Sequence, residues 1–261
     1  MLIVYKPIGC TMVQLIDDLK NKHPVYKGKK ISYAGRLDPM AHGLVILLVE
    51  DECKNQEHYI AETKKYRFQI LLGFKTDTYD LLGIPNITDD INSSDKITTD
   101  NIITQFESHL GDSEQVYPNF SSFVAKSIKT GERKPLWKWT KESRLNEINI
   151  PSKTIHINSL IVNRIYNLNT EDLNHIIINK LNKLNDPNNE FRKKDILTHW
   201  NHILSKRNKF YRIIEVEALV SSGTYIRSLT NTVGEQLGCG AIAFDINRIK
   251  IGNYDDVTLS L

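Results

Sequence analysis

An apolar run directly after a glycine–proline loop constrains the fold of this chain most strongly. Residues 44–49 are all apolar, and such a run predicts a buried strand. Gly35 and Pro39 frame the preceding loop, because glycine adopts backbone angles closed to other residues and proline biases the residue before it towards an extended conformation. That residue is Asp38, so we expect a carboxylate on an ordered loop at the edge of the core. An aspartate before proline also often only caps a turn, and the loop alone leaves both interpretations open.

Composition and charge indicate a soluble globular protein that is compatible with a polyanionic partner. The 261 residues suit one large domain or two small ones, and 40% hydrophobic and 25% charged residues are ordinary values. The formal net charge is +3. Acidic residues dominate the segment 77–114 and basic residues dominate the segment 180–212, so a polyanion would meet the second segment more readily. The alternative for the basic segment is a solvated helix face.

Cysteine usage and the absence of targeting patterns predict an intracellular protein. Cys10, Cys53 and Cys239 are scattered, and they form neither a disulfide framework nor a zinc pattern. The chain opens on a strand-like segment, and its sequence contains no pattern of a signal peptide, transit peptide or membrane span. We therefore expect no membrane association and a cytoplasmic protein, with the nucleus as the alternative.

Several elements have recognisable limits. Thr11 is predicted to cap a helix with an apolar face made of Met12, Leu15, Ile16 and Leu19. Side chains alternate between apolar and polar over 65–74, which predicts a strand that carries Tyr66. A helix is predicted over 100–110 with Ile103, Phe106 and Leu110 on one side. A final helix is predicted over 225–237 and ends before Gly238.

A polar stretch over about 167–209 predicts a pair of helices between two strands, at 154–166 and 210–220. Thr170 is predicted to cap the first helix, and residues 186–189 break the pair. The second helix carries an apolar stripe, which can dock on the core, formed by Ile196, Leu197, Trp200, Ile203 and Leu204. The basic residues near this stripe are Arg192, Lys193, Lys194, Lys206, Arg207 and Lys209. They predict a contact with a polyanion or, as the alternative, a solvated hairpin.

Five separate blocks of the chain resemble the TruB type of tRNA pseudouridine synthases and follow the family's order. They lie at residues 6–11, 35–43, 65–83, 115–122 and 221–248. Each block alone is a weak signal, but five ordered blocks over nearly the whole chain are specific.

The resemblance implies an α+β fold, the pseudouridine synthase fold, with a long, mostly antiparallel mixed sheet, a central cleft and flanking helices. It implies one catalytic domain over residues 1–261 with a helical insertion at about 167–209. The PUA domain usual in bacterial and archaeal members has no counterpart in this sequence. The implied activity is isomerisation of uridine to pseudouridine in RNA, with base flipping and with neither metal nor organic cofactor.

The same resemblance implies roles for individual residues. Asp38 would be the essential nucleophile or base, Tyr66 would stack on the extruded uracil, and Arg227 would pair with Asp38. Implied substrate-binding positions are Lys6, Tyr33, Tyr225, Ile246 and Arg248. Tyr225 and Ile246 would line the pocket, and Lys6 would support the loop around it. The chemistry agrees, because an aromatic side chain offers about 1–3 kcal/mol of stacking per base and a guanidinium supplies the opposite charge for a carboxylate. Alone, Tyr66 would be interpreted as a core aromatic and Arg227 as a surface charge.

The chain departs from the family pattern at two of these positions. Family members usually have histidine five residues before the catalytic aspartate, where this chain has Tyr33. Rate and substrate choice are therefore left open. The family's pocket leucine is Ile246 here, which conserves volume. His199 and His202 lie three residues apart, but no further ligands accompany them, so no metal site is predicted.

Three functional hypotheses follow. The first is a monomeric synthase acting on the T-loop uridine of tRNA, U55. The second is an RNA-binding or chaperone protein with weak activity, and the third is a synthase acting on mRNA loops or another RNA. Retention of Asp38, Tyr66 and Arg227 favours an active enzyme, but the sequence does not distinguish the RNA substrates.

Overall fold

The computed structural model describes residues 1–88 and 96–260. Three members of the acidic segment, Asp89, Asp90 and Asp95, lie outside the described residues. None of the helices within the described ranges has the length and the apolar run needed to cross a bilayer.

A mixed, mostly antiparallel sheet dominates the fold. Its strands are β1 (Leu2–Lys6), β2 (Ile31–Ala34), β3 (Ala41–Val49), β4 (Lys64–Leu72), β7 (Gly111–Val116), β10 (Ser152–Asn169), β11 (Phe210–Val220) and β12 (Ala241–Ile251). The order is β1-β3-β12-β4-β11-β10-β7, and β2 pairs with β3. Within the described ranges, every neighbouring pair is antiparallel except β3 with β12. Two hairpins lie outside this sheet, β5 (Phe74–Thr76) with β6 (Pro85–Ile87) and β8 (Val124–Lys126) with β9 (Arg133–Pro135).

The helices flank this sheet. They are α1 (Met12–Lys22), α2 (Gln56–Ala61), α3 (Thr99–Glu107), α4 (Leu136–Lys141), α5 (Thr170–Asn182), α6 (Lys193–Ser205) and α7 (Ile226–Gln236). Short 3₁₀ turns occur at Pro24–Tyr26, Glu50–Asn55 and Leu145–Glu147. The predicted α+β class with a long mixed sheet is therefore confirmed.

Local sequence signals explain the start of α1 and the face of β4. The hydroxyl of Thr11 accepts a hydrogen bond from the Gln14 amide at 3.2 Å, and the Gln14 side chain accepts one from the Thr11 amide at 2.8 Å. This reciprocal pair is a capping box, and it satisfies two backbone donors at the helix start. Along β4, Tyr66, Phe68 and Ile70 are buried, as their alternation predicts.

Two local predictions were wrong. The apolar face predicted for the helix over 100–110 is shifted, because Ile102 is fully buried whereas Ile103 and Leu110 are 37% and 46% exposed. The helix begins after Thr98, whose hydroxyl accepts from the Asn101 amide, and it ends at Glu107, so Leu110 lies beyond it.

The second error concerns the cap of α5. Asn169, rather than Thr170, accepts from the Asp172 amide at 2.8 Å. Thr170 instead donates to the Lys209 carbonyl at 3.0 Å, which ties the two ends of the insertion together. Because β10 continues to Asn169, the helical part of the insertion starts at 170 rather than at about 167.

The insertion, residues 170–209, shares a hydrophobic core with the sheet. Its buried side chains include Leu173, Ile177, Leu181, Ile196, Trp200 and Leu204. They pack in one cluster with Met40, Leu71 and Phe74. Fully burying a large apolar side chain stabilises a fold by about 1.5–3 kcal/mol. The insertion is therefore an integral part of the fold, and it reaches Met40, two residues beyond Asp38.

Candidate active site

A short loop between β2 and β3 presents Asp38. Gly35 opens this loop with φ of +86°, a left-handed conformation that favours glycine. The Ala41 amide donates to the Asp38 carbonyl at 3.1 Å, which closes a tight turn before β3 begins. The Asp38 side chain is 29% exposed, so it remains accessible to a ligand.

Two buried cationic side chains donate hydrogen bonds to the backbone carbonyls of this loop. Lys6 Nζ donates to the Ala41 carbonyl at 2.6 Å and to the Pro39 carbonyl at 3.3 Å. Arg248 Nη2 donates to the Gly35 carbonyl at 3.0 Å. Burial lowers the pKa of Lys6 to about 8, partly offset by nearby anionic groups including Asp38. The structure thus places both predicted substrate-binding residues beneath the loop, where they hold its backbone on either side of Asp38.

Arg227 fixes the carboxylate. It lies in the first turn of α7 and is 2% exposed. Its Nε donates to Asp38 Oδ2 at 2.7 Å, while its Nη1 and Nη2 donate to the carbonyls of Thr78 at 2.7 Å and Phe120 at 3.3 Å. Three directed hydrogen bonds leave the guanidinium little freedom, so the Asp38 carboxylate is held in one orientation.

A second carboxylate, which the sequence analysis missed, lies behind this pair. Asp80 Oδ2 is 3.9 Å from Arg227 Nε, and Asp80 accepts hydrogen bonds from the Thr78 hydroxyl at 2.6 Å and the Leu82 amide at 2.9 Å. Burial raises the pKa of Asp80, and Arg227 opposes this shift. Burial disfavours the charge on Arg227, but Asp38 and Asp80 outweigh it and raise the pKa of the guanidinium. The available signal was the position of Asp80 within the block 65–83.

The remaining aromatic and apolar candidates lie on β4, at the start of α7 and on β12. Tyr66 on β4 faces Arg248 on β12 and is 7% exposed. Tyr225 lies with its ring 5.9 Å from the Arg227 guanidinium, and burial together with Asp38 raises the pKa of Tyr225 to about 12. Ile246 pairs with Ala41 in the parallel β3–β12 ladder. None of these three side chains lines the cavity described below, so the pocket-lining positions implied for Tyr225 and Ile246 are not found at this cavity.

Tyr33, at the family's histidine position, acts on the site through a neighbour. Its hydroxyl accepts a hydrogen bond from Arg36 Nη2 at 2.5 Å, and the Arg36 guanidinium lies 5.5 Å from the centre of its ring. Arg36 itself lines the cavity. The tyrosine therefore orients a cation at the cavity rather than lining it.

A cavity of about 250 Å³ lies at the Asp38–Arg227 pair. Its lining includes the charged residues Asp38, Asp80, Arg227 and Arg36. It also includes Phe120, Trp137 and Lys141, together with residues 190–192 of the insertion. The lining therefore combines a held, accessible carboxylate with apolar and aromatic surface, an arrangement suited to a planar, uncharged ring.

Within the described ranges, no group of three or more His, Cys, Asp or Glu side chains is arranged to hold a metal ion. His199 Nδ1 lies 2.7 Å from the Asp195 carbonyl, and His202 Nε2 lies 3.0 Å from Lys206 Nζ. The two histidines therefore face different partners along α6.

Comparison with protein families identifies the chain. The family model described as TruB family pseudouridylate synthase (N terminal domain) matches residues 22–178. The chain belongs to the TruB family. The family's enzymes are isomerases that form pseudouridine, so the predicted class of enzyme is confirmed.

Curated TruB relatives match almost the whole chain. The tRNA pseudouridine synthase B of Blochmanniella floridana is 28% identical over 256 residues, covering 97% of this chain and 76% of the relative. The tRNA pseudouridine synthase B of Thermosipho melanesiensis is 30% identical over 252 residues, covering 97% of this chain and 64% of the relative. The chain thus spans about two thirds to three quarters of these TruB proteins.

Solved structures support the TruB-type fold. A crystal structure of a Cbf5-Nop10-Gar1 complex matches with a TM-score of 0.56 at 15% identity, covering 100% of this chain and 51% of that chain. A structure of an H/ACA RNP bound to a substrate RNA containing 2'-deoxyuridine matches with a TM-score of 0.54 at 14% identity, covering 99% of this chain and 50% of that chain. At these identities, the likeness shows the fold alone.

Proposed function

We propose that this chain isomerises uridine to pseudouridine in the T-loop of tRNA, at U55, with Asp38 as its essential residue. The contact of Arg227 with Asp38 at 2.7 Å, at a cavity of a TruB-family fold, carries this proposal. The curated relatives named tRNA pseudouridine synthase B support tRNA as the RNA class.

The proposed reaction is an isomerisation, so the substrate and the product have the same atomic composition. The C1′–N1 bond breaks, the uracil turns, and a C5–C1′ bond forms, while the proton on C5 is lost and N1 is protonated. Asp38 either attacks a carbon as nucleophile or removes a proton as base, and both roles need a positioned carboxylate. Arg227 is a positioning residue in this scheme, because it holds the carboxylate through a directed hydrogen bond.

Access to a uridine requires base flipping. A base in a stacked loop must leave its neighbours before a side chain reaches its sugar carbon, at a cost of a few kcal/mol. Tyr66, which pairs with Arg248 between β4 and β12, is the proposed stacking partner and would offset part of this cost. We further propose that the protein acts as a monomer in the cytoplasm.

Isomerisation of a T-arm stem-loop is expected to continue after metal ions are removed. The reason is that the proposed chemistry uses a carboxylate and a guanidinium. The measurement is tritium release from RNA labelled at C5 of uridine, with and without EDTA, under conditions where the hairpin stays folded without magnesium. Loss of tritium release on adding EDTA, with the hairpin shown to be intact, would contradict the cofactor-free mechanism.

Transcriptome-wide pseudouridine mapping with the protein present and absent distinguishes the possible RNA substrates. Dependence confined to U55 of tRNAs supports the proposal. Dependence at mRNA loops would identify the alternative synthase, and RNA binding without any dependent pseudouridine would identify the chaperone function.

The basic residues at the far end of α6 form a separate candidate RNA contact. The six basic residues named beside the apolar stripe of α6 do not cluster, because Arg192 and Lys193 lie at one end of this 13-residue helix and Lys206 at the other, about 20 Å away. We expect reversing the charges of Lys206, Arg207 and Lys209 to weaken RNA binding and to flatten its salt dependence by about one unit per lost phosphate contact. The single-turnover rate at saturating enzyme should stay unchanged. Unchanged affinity and salt slope in a folded variant would show that this end of the insertion does not bind RNA.

A further inference from the structure

The helical insertion is fastened to the loop that carries Asp38. The Gly9 amide donates to the Pro39 carbonyl at 2.8 Å, and a Cβ on Gly9 would lie 2.3 Å from the Lys183 carbonyl oxygen. On α5, Lys180 Nζ donates to the Phe244 carbonyl at 3.0 Å and forms an ion pair with Asp245 on β12. These contacts fix the position of the insertion relative to the candidate active site.

One arginine of the insertion reaches the cavity in a constrained conformation. Arg192 has φ of +60°, a left-handed conformation that is uncommon for a residue other than glycine. Its Nη1 donates to Asp77 Oδ2 at 2.6 Å, and its guanidinium lies 5.0 Å from the centre of the Phe120 ring. Residues in such backbone conformations concentrate at functional sites, where the surrounding structure holds them.

The guanidinium of Arg192 retains unused hydrogen-bond donors. Within residues 1–88 and 96–260, its Nη1 donates to Asp77, and no acceptor meets its Nε or Nη2. The side chain is 30% exposed, and it lines the same cavity as Asp38. A planar fork with unused donors suits the bidentate recognition of a phosphate.

The charged residues that line the cavity differ in exposure, from buried to exposed. Asp80 and Arg227 are buried, and Asp38 is partly exposed. Arg36 and Lys141 are exposed cations on the lining, where they accompany Arg192 and the exposed Glu190. Lys141 Nζ donates to the Glu190 carbonyl at 2.5 Å, so the segment that carries Arg192 is also held against α4. A flipped nucleotide inserts an uncharged base and leaves its phosphates at the entrance, where these cations lie.

We propose that Arg192 binds a backbone phosphate next to the flipped nucleotide, which makes the helical insertion a wall of the RNA-binding active site. This inference rests on the proposed function, because it assumes an RNA substrate. It deepens that function by adding a phosphate contact at the cavity itself, separate from the basic residues at the far end of α6. Asp77 and Phe120 hold the guanidinium in position for this contact.

Replacing Arg192 with methionine is expected to weaken equilibrium binding of a T-arm hairpin about tenfold and to reduce its salt slope by about one unit. Lys194→Met is the matched control, because Lys194 lies two residues after Arg192 in the first turn of α6, is exposed and does not line the cavity. We expect it to leave both quantities unchanged. If the Lys194 variant lowers affinity and slope as much as the Arg192 variant does, general charge attraction explains the effect and the proposal fails.

A thermodynamic double-substitution cycle, which combines protein variants with modified RNA, tests the proposed contact between Arg192 and a phosphate. Hairpins that carry a single uncharged methylphosphonate, placed in turn at each phosphate flanking the target uridine, are bound to wild type and to Arg192→Met. At one position, the substitution should weaken wild-type binding about tenfold and leave the variant unaffected, because coupled groups do not behave additively. Equal losses in both proteins at every position would overturn the proposal. If Arg192→Met unfolds, Arg192→Lys replaces it in the cycle and should show reduced coupling at the same position.

Tritium release by the wild type separates this inference from the proposed function. Release from the T-arm hairpin without phosphate coupling to Arg192 leaves the function standing and rejects the inference. Coupling without tritium release supports the phosphate site and rejects the proposed activity on that RNA.

Discussion

Replacing Asp38 with asparagine is expected to lower the single-turnover rate of pseudouridine formation by about 10⁴-fold or more, as removal of an essential catalytic group does in other enzymes. The amide has nearly the shape of the carboxylate, but it has neither the negative charge nor the nucleophilicity. Asp38 lines the cavity with a partly exposed side chain. RNA affinity should change little, because the amide keeps the shape of the carboxylate. The measurement is tritium release at saturating enzyme.

An aspartate elsewhere on the surface provides the control for this substitution. The carboxylate of Asp51 is 93% exposed and pairs only locally with Lys54. Asp51→Asn should retain the wild-type rate. A residual rate within tenfold of the wild type in a folded Asp38→Asn protein would mean that Asp38 is not the catalytic group.

Replacing Arg227 with methionine is expected to slow the chemical step by about 100-fold, because a misplaced reacting group loses roughly this factor. Methionine keeps much of the side-chain length but removes the hydrogen bond to Asp38 and those to the Thr78 and Phe120 carbonyls. The loss should appear in the single-turnover rate at saturating enzyme. Affinity and salt slope should change less, because Arg227 is proposed to hold Asp38 rather than a phosphate.

Stability complicates the interpretation of this variant. Removing one partner of a buried ion pair costs about 3–5 kcal/mol, and here it would leave Asp80 buried without its opposite charge. Arg227→Lys keeps the charge and should fold, but it cannot reproduce the three directed hydrogen bonds. We therefore expect the lysine variant to bind RNA normally and to react slowly. A wild-type rate in either folded variant would remove the positioning role.

Local sequence patterns predicted the elements whose signals lie within one or two turns. The capping box at Thr11 and the alternation along β4 depend only on neighbouring residues, and both are present in the structure. The predicted apolar face of α3 and the predicted N-cap of α5 were each displaced by one residue from the observed positions. In both cases the hydrogen bond at the helix start decided the limit, through Thr98 and Asn169, and the apolar pattern does not reveal that bond.

The candidate site was predictable in part. Motif resemblance named Asp38 and Arg227, and the structure places them in contact across 189 residues of chain. Their catalytic and positioning roles stay predictions. The resemblance implied that Lys6 supports the loop around the pocket. It did not indicate that Arg248 also holds a loop carbonyl, because hydrogen-bond partners depend on how the strands pair in space.

The ordered motifs indicated the family, and through that resemblance the mixed sheet. The loop that presents Asp38 was predicted from its own residues, because glycine, proline and an apolar run act locally on the backbone. The motifs could not establish that Asp80 lies behind Arg227 or that Arg192 forms a wall of the cavity. Burial and charge proximity arise only when segments distant in sequence pack together, and desolvation then shifts the pKa of Asp80. The sequence predicted that the apolar stripe of the insertion can dock on the core, and it left an RNA contact and a solvated hairpin as alternatives. The packing against Met40 and Gly9 makes the insertion part of the site.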